Sequence, residues 1–334
     1  MYFPYLTQAK APLTCEVSAV NEFGEHISVS IPAERALTVY VDKRELVTLM
    51  TLGAHPELLV LGYLRNQRLV KDIEDIESIT VDWDVGAAAV KTRHGIADIE
   101  DKTSKRVVTT GCGQGSVFGG LMDEVDQIRL PPDCQITQTQ LYELVNIIRL
   151  KETTYKSAGS VHACALFDTA SKQPEMLIFV EDVGRHNAID TIAGWMWMNL
   201  APAFMTPCAA LPRGGASGLQ PGEAGRAGPT GEDDSIKNGA SPTELGLDRL
   251  VFYTTGRLTS EMVIKSAQMN VPVAVSRSGI TQMGHEVAQL VGLCAIGRAT
   301  NKRFICYTHP QRLKLVKEPG ATSPDLAQGQ QSAM

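Results

Sequence analysis

Between residues 137 and 308, short apolar runs alternate with amphipathic stretches, and few folds accommodate that order. Runs at 161–167, 175–180, 250–254, 271–276, 293–297 and 304–308 have strand length. The segments 137–150, 187–200, 260–269 and 282–290 instead read as helices, with Leu141, Val145 and Ile148 marking an apolar face on the first. Strands separated by helices pair in parallel, so the pattern predicts a layered α/β domain over 137–310 with a mostly parallel sheet.

The order helix, two strands, helix, strand, helix, strand, helix, strand resembles the cytidine-deaminase-like arrangement as a fold-level analogy. Ahead of it, residues 27–108 predict a small α+β domain, making the chain α+β overall. Ile27, Val29, Ile31, Leu37, Val39 and Val41 alternate as in strands, and Asp42-Lys43-Arg44 reads as a hairpin turn. Residues 55–66 read as a helix interrupted by Gly62, and 76–90 alternate again. Residues 1–26 read as an N-terminal extension, 109–136 as a loop and linker containing Gly and Cys, and 311–334 as a polar tail. Within the second domain, residues 206–246 hold nine Gly and five Pro among 41 positions. So little apolar content does not offset the entropy of ordering, and a mobile, disordered insertion is expected.

Composition removes several classes. A 43% hydrophobic and 20% charged chain is globular in character, and a net charge of −6 offers no footprint for nucleic acid. No run of about 20 apolar residues predicts a membrane span, and the first residues lack a secretory pattern. Seven cysteines, at 15, 112, 134, 164, 208, 294 and 306, form no C-x-x-C pair. Their odd number and wide spacing predict a reducing, cytoplasmic setting.

The densest polar cluster follows an apolar run: Phe179-Val180-Glu181-Asp182-Val183-Gly184-Arg185-His186-Asn187-Ala188-Ile189-Asp190. Its acids suit the start of a helix. Arg185 suits bidentate phosphate binding, and His186 suits proton transfer or hydrogen bonding. A second feature is Thr109-Thr110-Gly111-Cys112-Gly113, where a thiol sits among glycines. On residue type alone, a cysteine without a role and a mobile thiol with inward N–H groups stabilising its thiolate both fit. Three loops should gather at the carboxyl ends of the later strands: Thr255 to Ser260, Ser276 to Gly279, and Arg298 to Arg303. Each combines Arg with hydroxyls or amides, which suits ordinary turns or an anionic nucleotide-like ligand. In Val161-His162-Ala163-Cys164 a cysteine stands where zinc deaminases place Glu, and no Pro-Cys-x-x-Cys follows, so no metal site is expected. Trp195 and Trp197 read as packing on a helix flank or a subunit interface.

Together with Thr255-Gly256-Arg257-Leu258-Thr259-Ser260-Glu261-Met262, the Cys112 and Phe179–Asp190 segments resemble the formate dehydrogenase accessory sulfurtransferase family (FdhD). The resemblance implies a homodimeric sulfur carrier. A cysteine desulfurase would load Cys112 as a persulfide. The sulfur would pass to the molybdenum bis-molybdopterin guanine dinucleotide cofactor before its insertion into formate dehydrogenase. The cofactor-binding positions implied are Arg185, His186, Arg257, Arg277, Arg298, Ala299, Thr300, Asn301, Lys302 and Arg303, with His186 and Asp182 ordering the pocket. The family's loop is usually C-x-x-C, whereas here Cys112-Gly113-Gln114-Gly115 puts Gly115 in the second position. A chaperone that binds the cofactor without carrying sulfur is the alternative.

Overall fold

A computed structural model describes residues 2–96, 107–108, 115–116, 125, 128–131, 133–151, 153–204 and 246–316. Cys112, residues 206–245 and the tail beyond 316 lie outside the described residues.

The N-terminal half contains β1 (Tyr5–Leu6), β2 (Thr14–Val20), β3 (His26–Pro32), β4 (Arg35–Val41), β5 (Arg44–Thr51), α1 (Pro56–Asn66), β6 (Ile76–Asp82) and β7 (Ala87–Thr92). The strands β1-β6-β7-β4-β5 form one sheet. Asp42 and Lys43 both take positive φ, 47° and 72°, the backbone that a tight hairpin between β4 and β5 demands. The boundary expected at residue 27 runs through structure instead. β1 pairs with β6, and β2 pairs with β3 along its whole length as a separate ribbon. Buried Glu57 helps hold the N-terminal segment to α1, accepting hydrogen bonds from Thr7 Oγ1 and Ala9 N, each at 2.7 Å.

Next come β8 (Val107–Val108) and β9 (Gly115–Ser116), which pair with Val108 opposite Gly115, then β10 (Ile136–Thr137). The C-terminal half follows with α2 (Gln138–Leu150), α3 (Thr154–Ala158), β11 (His162–Asp168), β12 (Glu175–Asp182) and α4 (Arg185–Phe204). It continues with β13 (Leu250–Thr254), α5 (Ser260–Gln268), β14 (Val273–Ser276), α6 (Gln282–Val291), β15 (Cys294–Thr300), β16 (Arg303–Cys306) and β17 (Leu313–Lys314). Thr137 and Gln140 exchange hydrogen bonds as a capping box that fixes the start of α2. Helix α4 departs from helical angles at Leu200, two residues before Pro202, whose ring nitrogen cannot donate to the preceding turn.

The six-stranded sheet has the order β12-β11-β13-β14-β15-β16. It is mixed, which corrects the expectation of a mostly parallel sheet. Only β13/β14 and β14/β15 run parallel, while β12/β11, β11/β13 and β15/β16 are antiparallel. The reason is connection length: the turns after Asp168 and Thr300 are too short to cross the sheet, so the strands they join reverse direction. Alternation along each strand then sorts the faces. Leu250, Phe252, Ala274 and Ala295 pack with α4, α5 and α6, whereas Val251, Tyr253, Val275 and Ile296 pack with α2. Trp195 and Trp197 are interior on α4.

One apolar core continues from the N-terminal sheet through α1 and α4 to the larger sheet. The two helices meet at glycines. A Cβ on Gly62 would lie 1.7 Å from the Asp190 carbonyl oxygen, and one on Gly194 would lie 2.0 Å from the Leu58 carbonyl oxygen. Gly62 therefore belongs in the helix, as a point of backbone contact rather than a break. At the opposite end, buried Arg312 donates to the carbonyls of Gly292, Leu130, Pro131 and Cys134, while β17 pairs with β10. Among the described residues no helix is long and apolar enough to cross a membrane.

Substituting Gly62→Ala or Gly194→Ala should destabilise the protein by about 3 kcal/mol or more, because backbone, not a movable side chain, occupies the space. Gly279→Ala, with nothing near its Cβ direction, should leave the urea midpoint within error. Urea denaturation of the three variants checks this; a tolerated Gly62→Ala would refute the close crossing.

Candidate functional site

The sheet directions bring the sequence candidates to one edge. Strands β12, β13, β14 and β15 end there, at Asp182, Thr254, Ser276 and Thr300, while β11 and β16 begin there at His162 and Arg303. The turn into α4 and the starts of α5 and α6 lie at the same edge. Short bonds lock the loops together. Arg277 N donates to Thr254 O at 2.9 Å, Ser276 Oγ to Gly256 O at 2.7 Å, and Arg298 N to Ser278 O at 2.6 Å.

Glu181 and Asp182, the first two acids of the polar cluster, hydrogen-bond within the protein. Glu181 accepts from Thr154 N and Tyr155 N at 2.6 and 3.2 Å, covering the start of α3. Asp182 accepts from Thr51 Oγ1, from Leu52 N at 3.1 Å, from Gly184 N at 2.9 Å and from Asn187 Nδ2 at 2.8 Å. Asn187 Nδ2 also donates to Met50 O. This buried carboxylate ties the end of β5 to the start of α4. Burial pushes its pKa up, and the four hydrogen bonds oppose that push.

His186 is held inside the protein. Its side chain is only 3% exposed and faces inward, with Nε2 at 3.5 Å from Glu261 Oε2. Glu261 in turn lies 3.3 Å from Lys265, which donates to Asp190 at 2.9 Å, and Asp190 accepts from Asn66 Nδ2 at 2.7 Å. All these groups are buried. Burial alone would lower the Lys265 pKa, but the Asp190 and Glu261 carboxylates outweigh it and keep the ammonium charged. This chain of charges lies under the first turn of α4. The signal for Lys265 in the sequence is its i, i+4 spacing from Glu261 on one helix.

Arg185 is also buried, with its stem packed so closely on Gly256 that a Cβ there would lie 3.0 Å from Arg185 Cδ. His162, half-buried on β11, has its pKa lowered by burial and then by the Arg185 and Arg257 guanidinium groups. The imidazole at this edge is therefore held neutral by burial and by the two guanidinium groups. Arg257, Arg277, Arg298, Thr300, Asn301, Lys302 and Arg303 are exposed around it. Ala299 is the exception among the predicted positions, because its side chain is in the core and only its backbone is available to a ligand. Arg298 and Asn301 take positive φ, 53° and 52°, where the chain reverses into β16. Cys164 is fully buried, donates to Thr254 Oγ1 at 3.3 Å, and has its pKa pushed up to about 12 by burial. It is a core residue and a poor nucleophile. Among the described residues no His, Cys, Asp and Glu cluster could hold a metal ion. The arrangement suits binding of a polyanion by exposed cations on a stiff edge, with the thiol of Cys112 outside the described residues.

Burial lowers the His186 pKa to about 3, with Glu261 opposing. An unfolded His186 protonates near pH 6.5 and the folded one only near 3, so the unfolded state binds more protons across that window. Stability should fall as pH drops through it, with His186 contributing roughly 2 kcal/mol of the loss at pH 5. Melting curves from pH 7 to 4.5 should show a shallower decline for His186→Gln than for the unsubstituted protein. Parallel declines would contradict the buried, neutral assignment.

Comparison with known proteins fits this geometry. The family model described as FdhD/NarQ matches residues 32–206 and 239–314. The chain is 26% identical over 287 residues to the Bacillus subtilis protein named sulfur carrier protein FdhD, covering 84% of this chain and 89% of that one. It is likewise 26% identical over 292 residues to the Wolinella succinogenes protein of the same name, covering 87% and 84%. In fold it resembles the crystal structure of a candidate formate dehydrogenase accessory protein from Desulfotalea psychrophila, with a TM-score of 0.61 at 19% identity over 90% of this chain and 100% of that one. The match to the family model across both halves shows that the chain belongs to the FdhD/NarQ family.

Proposed function

We propose that this chain carries sulfur during the maturation of formate dehydrogenase. The observation that carries the reading is family membership over both halves, with relatives named as sulfur carriers, joined to a convergent cationic edge in the larger domain. The Cys112 thiolate attacks the outer sulfur of a cysteine desulfurase persulfide; the new S–S bond leaves a Cys112 persulfide, and the desulfurase cysteine departs as a thiolate. The sulfur then passes to the molybdenum bis-molybdopterin guanine dinucleotide cofactor, which is cargo rather than a resident group. Exposed Arg257, Arg277, Arg298, Lys302 and Arg303 match its phosphates in charge, and Arg guanidinium groups offer paired donors to phosphate oxygens. Buried Arg185 adds charge from beneath, and Thr300 and Asn301 add polar contacts. In this reading the protein is a persulfide-type sulfurtransferase that works in the cytoplasm as a homodimer. The analogy between its larger domain and the cytidine-deaminase-like layered fold belongs to the same proposal.

One observation favours the second reading, a chaperone that binds the cofactor without carrying sulfur. Gly115 stands where the family usually has its second cysteine, and it pairs in β9 opposite Val108.

Incubation with a cysteine desulfurase and L-cysteine, followed by peptide mass analysis without reductant, separates the two. One added sulfur atom on the Cys112 peptide, absent in Cys112→Ser, is expected. No added sulfur with cofactor binding intact would favour the chaperone. Arg277→Ala and Arg298→Ala should each weaken cofactor retention roughly tenfold, the loss expected for one charge-assisted contact, while sulfur loading stays unchanged. Unaltered retention in both would remove the cationic edge from the mechanism.

A further inference from the structure

A pair of thiols lies at the sheet edge opposite the candidate site. Cys294 opens β15 and Cys306 closes β16, on neighbouring antiparallel strands. Their sulfurs are 3.8 Å apart, within hydrogen-bonding range for thiols. Cys294 is fully buried, whereas Cys306 is partly open and also donates to Thr308 O at 3.4 Å. The hydrogen bond with Cys294 holds the Cys306 thiol below its usual range against partial burial, and the same contact with burial pushes Cys294 up. The pair is therefore asymmetric: Cys306 is the more exposed residue and its thiol the more easily ionised, whereas Cys294 is buried.

We propose that Cys294 and Cys306 form a reversible intramolecular disulfide that staples β15 to β16 below the 298–303 turn. The co-reactant is a small-molecule disulfide such as oxidised glutathione. The Cys306 thiolate attacks one of its sulfurs; a mixed disulfide forms and one small thiolate leaves, taking up the proton that Cys306 lost. Cys294 then gives up its proton and attacks the Cys306 sulfur, releasing the second small thiol. Two protein thiols are oxidised to one disulfide, and one small disulfide is reduced to two thiols. A disulfide requires the sulfurs to close from 3.8 Å to about 2.05 Å; the direct partner of Cys306 is Ile296, so closure on the diagonal to Cys294 calls for movement of the edge strand β16 as well as of the side chains. The proposal is independent of sulfur carriage by Cys112, since it requires only Cys294, Cys306 and a small-molecule disulfide.

The test uses the full chain incubated with excess oxidised glutathione, denatured in an alkylating agent and digested without reductant. A cross-linked peptide joining Cys294 to Cys306, two hydrogens lighter than the free pair and released by dithiothreitol, is expected. In Cys306→Ser and in Cys306→Ala the cross-link disappears and Cys294 is recovered alkylated. Three results would overturn the proposal: a stable glutathione adduct at Cys306, both thiols free while exposed Cys15 reacts, or a bridge from Cys294 to Cys134. Mapping the unsubstituted protein decides the matter even if a variant folds poorly.

Discussion

The contact of two backbones at Gly62 and Gly194 sets the spacing on which the rest of the molecule depends. With side chains there, α1 would stand farther from α4, and the N-terminal sheet would move with it. The bonds that Asp182 accepts from Thr51 and Leu52 would then be out of reach, as would that from Asn66 to Asp190. A steric absence thus makes a set of buried polar contacts affordable, and those contacts hold α4 at the sheet edge where Arg185 and its neighbours gather. Loss of one partner would leave a buried charge unsatisfied, which costs more than the bond itself contributes.

The polar cluster 181–190 divides its labour in a way that residue types do not reveal. Its acids face inward or cap a helix, and its His joins a buried line of charges to Lys265. The cations available to a ligand come from separate loops. The acidic net charge of the chain therefore coexists with a locally basic edge, because several of its carboxylates are engaged in the interior.

Periodicity made most of the larger domain legible. The helices at 138–150, 260–268 and 282–291 follow runs with a clear apolar face, and β11 to β16 follow apolar runs of strand length. The strand directions were misread because the parallel rule was extended to strands joined by short turns, which the turn at 169–174 already contradicted. Helix α3 was missed because it buries no residue and so carries no apolar stripe. Strand β2 was missed because its pattern of small and polar residues is weak beside that of β4. In the site, Arg257, Arg277 and Arg298 are exposed as loop reasoning implied. The inward turn of His186 was not legible, since Lys265 and Asp190 stand 75 residues apart and only the fold brings them together.

Arg312 gives the molecule an order of completion. Its guanidinium and the β10–β17 pairing close the chain leading into α2, yet Arg312 and Pro131 are separated by 181 residues. At a synthesis rate of about 5–20 residues per second, roughly ten seconds or more pass before the clasp exists. Until then the start of α2 and the carbonyls of Leu130, Pro131 and Cys134 lack their final partners, so a nascent chain carries an open side that the finished protein does not.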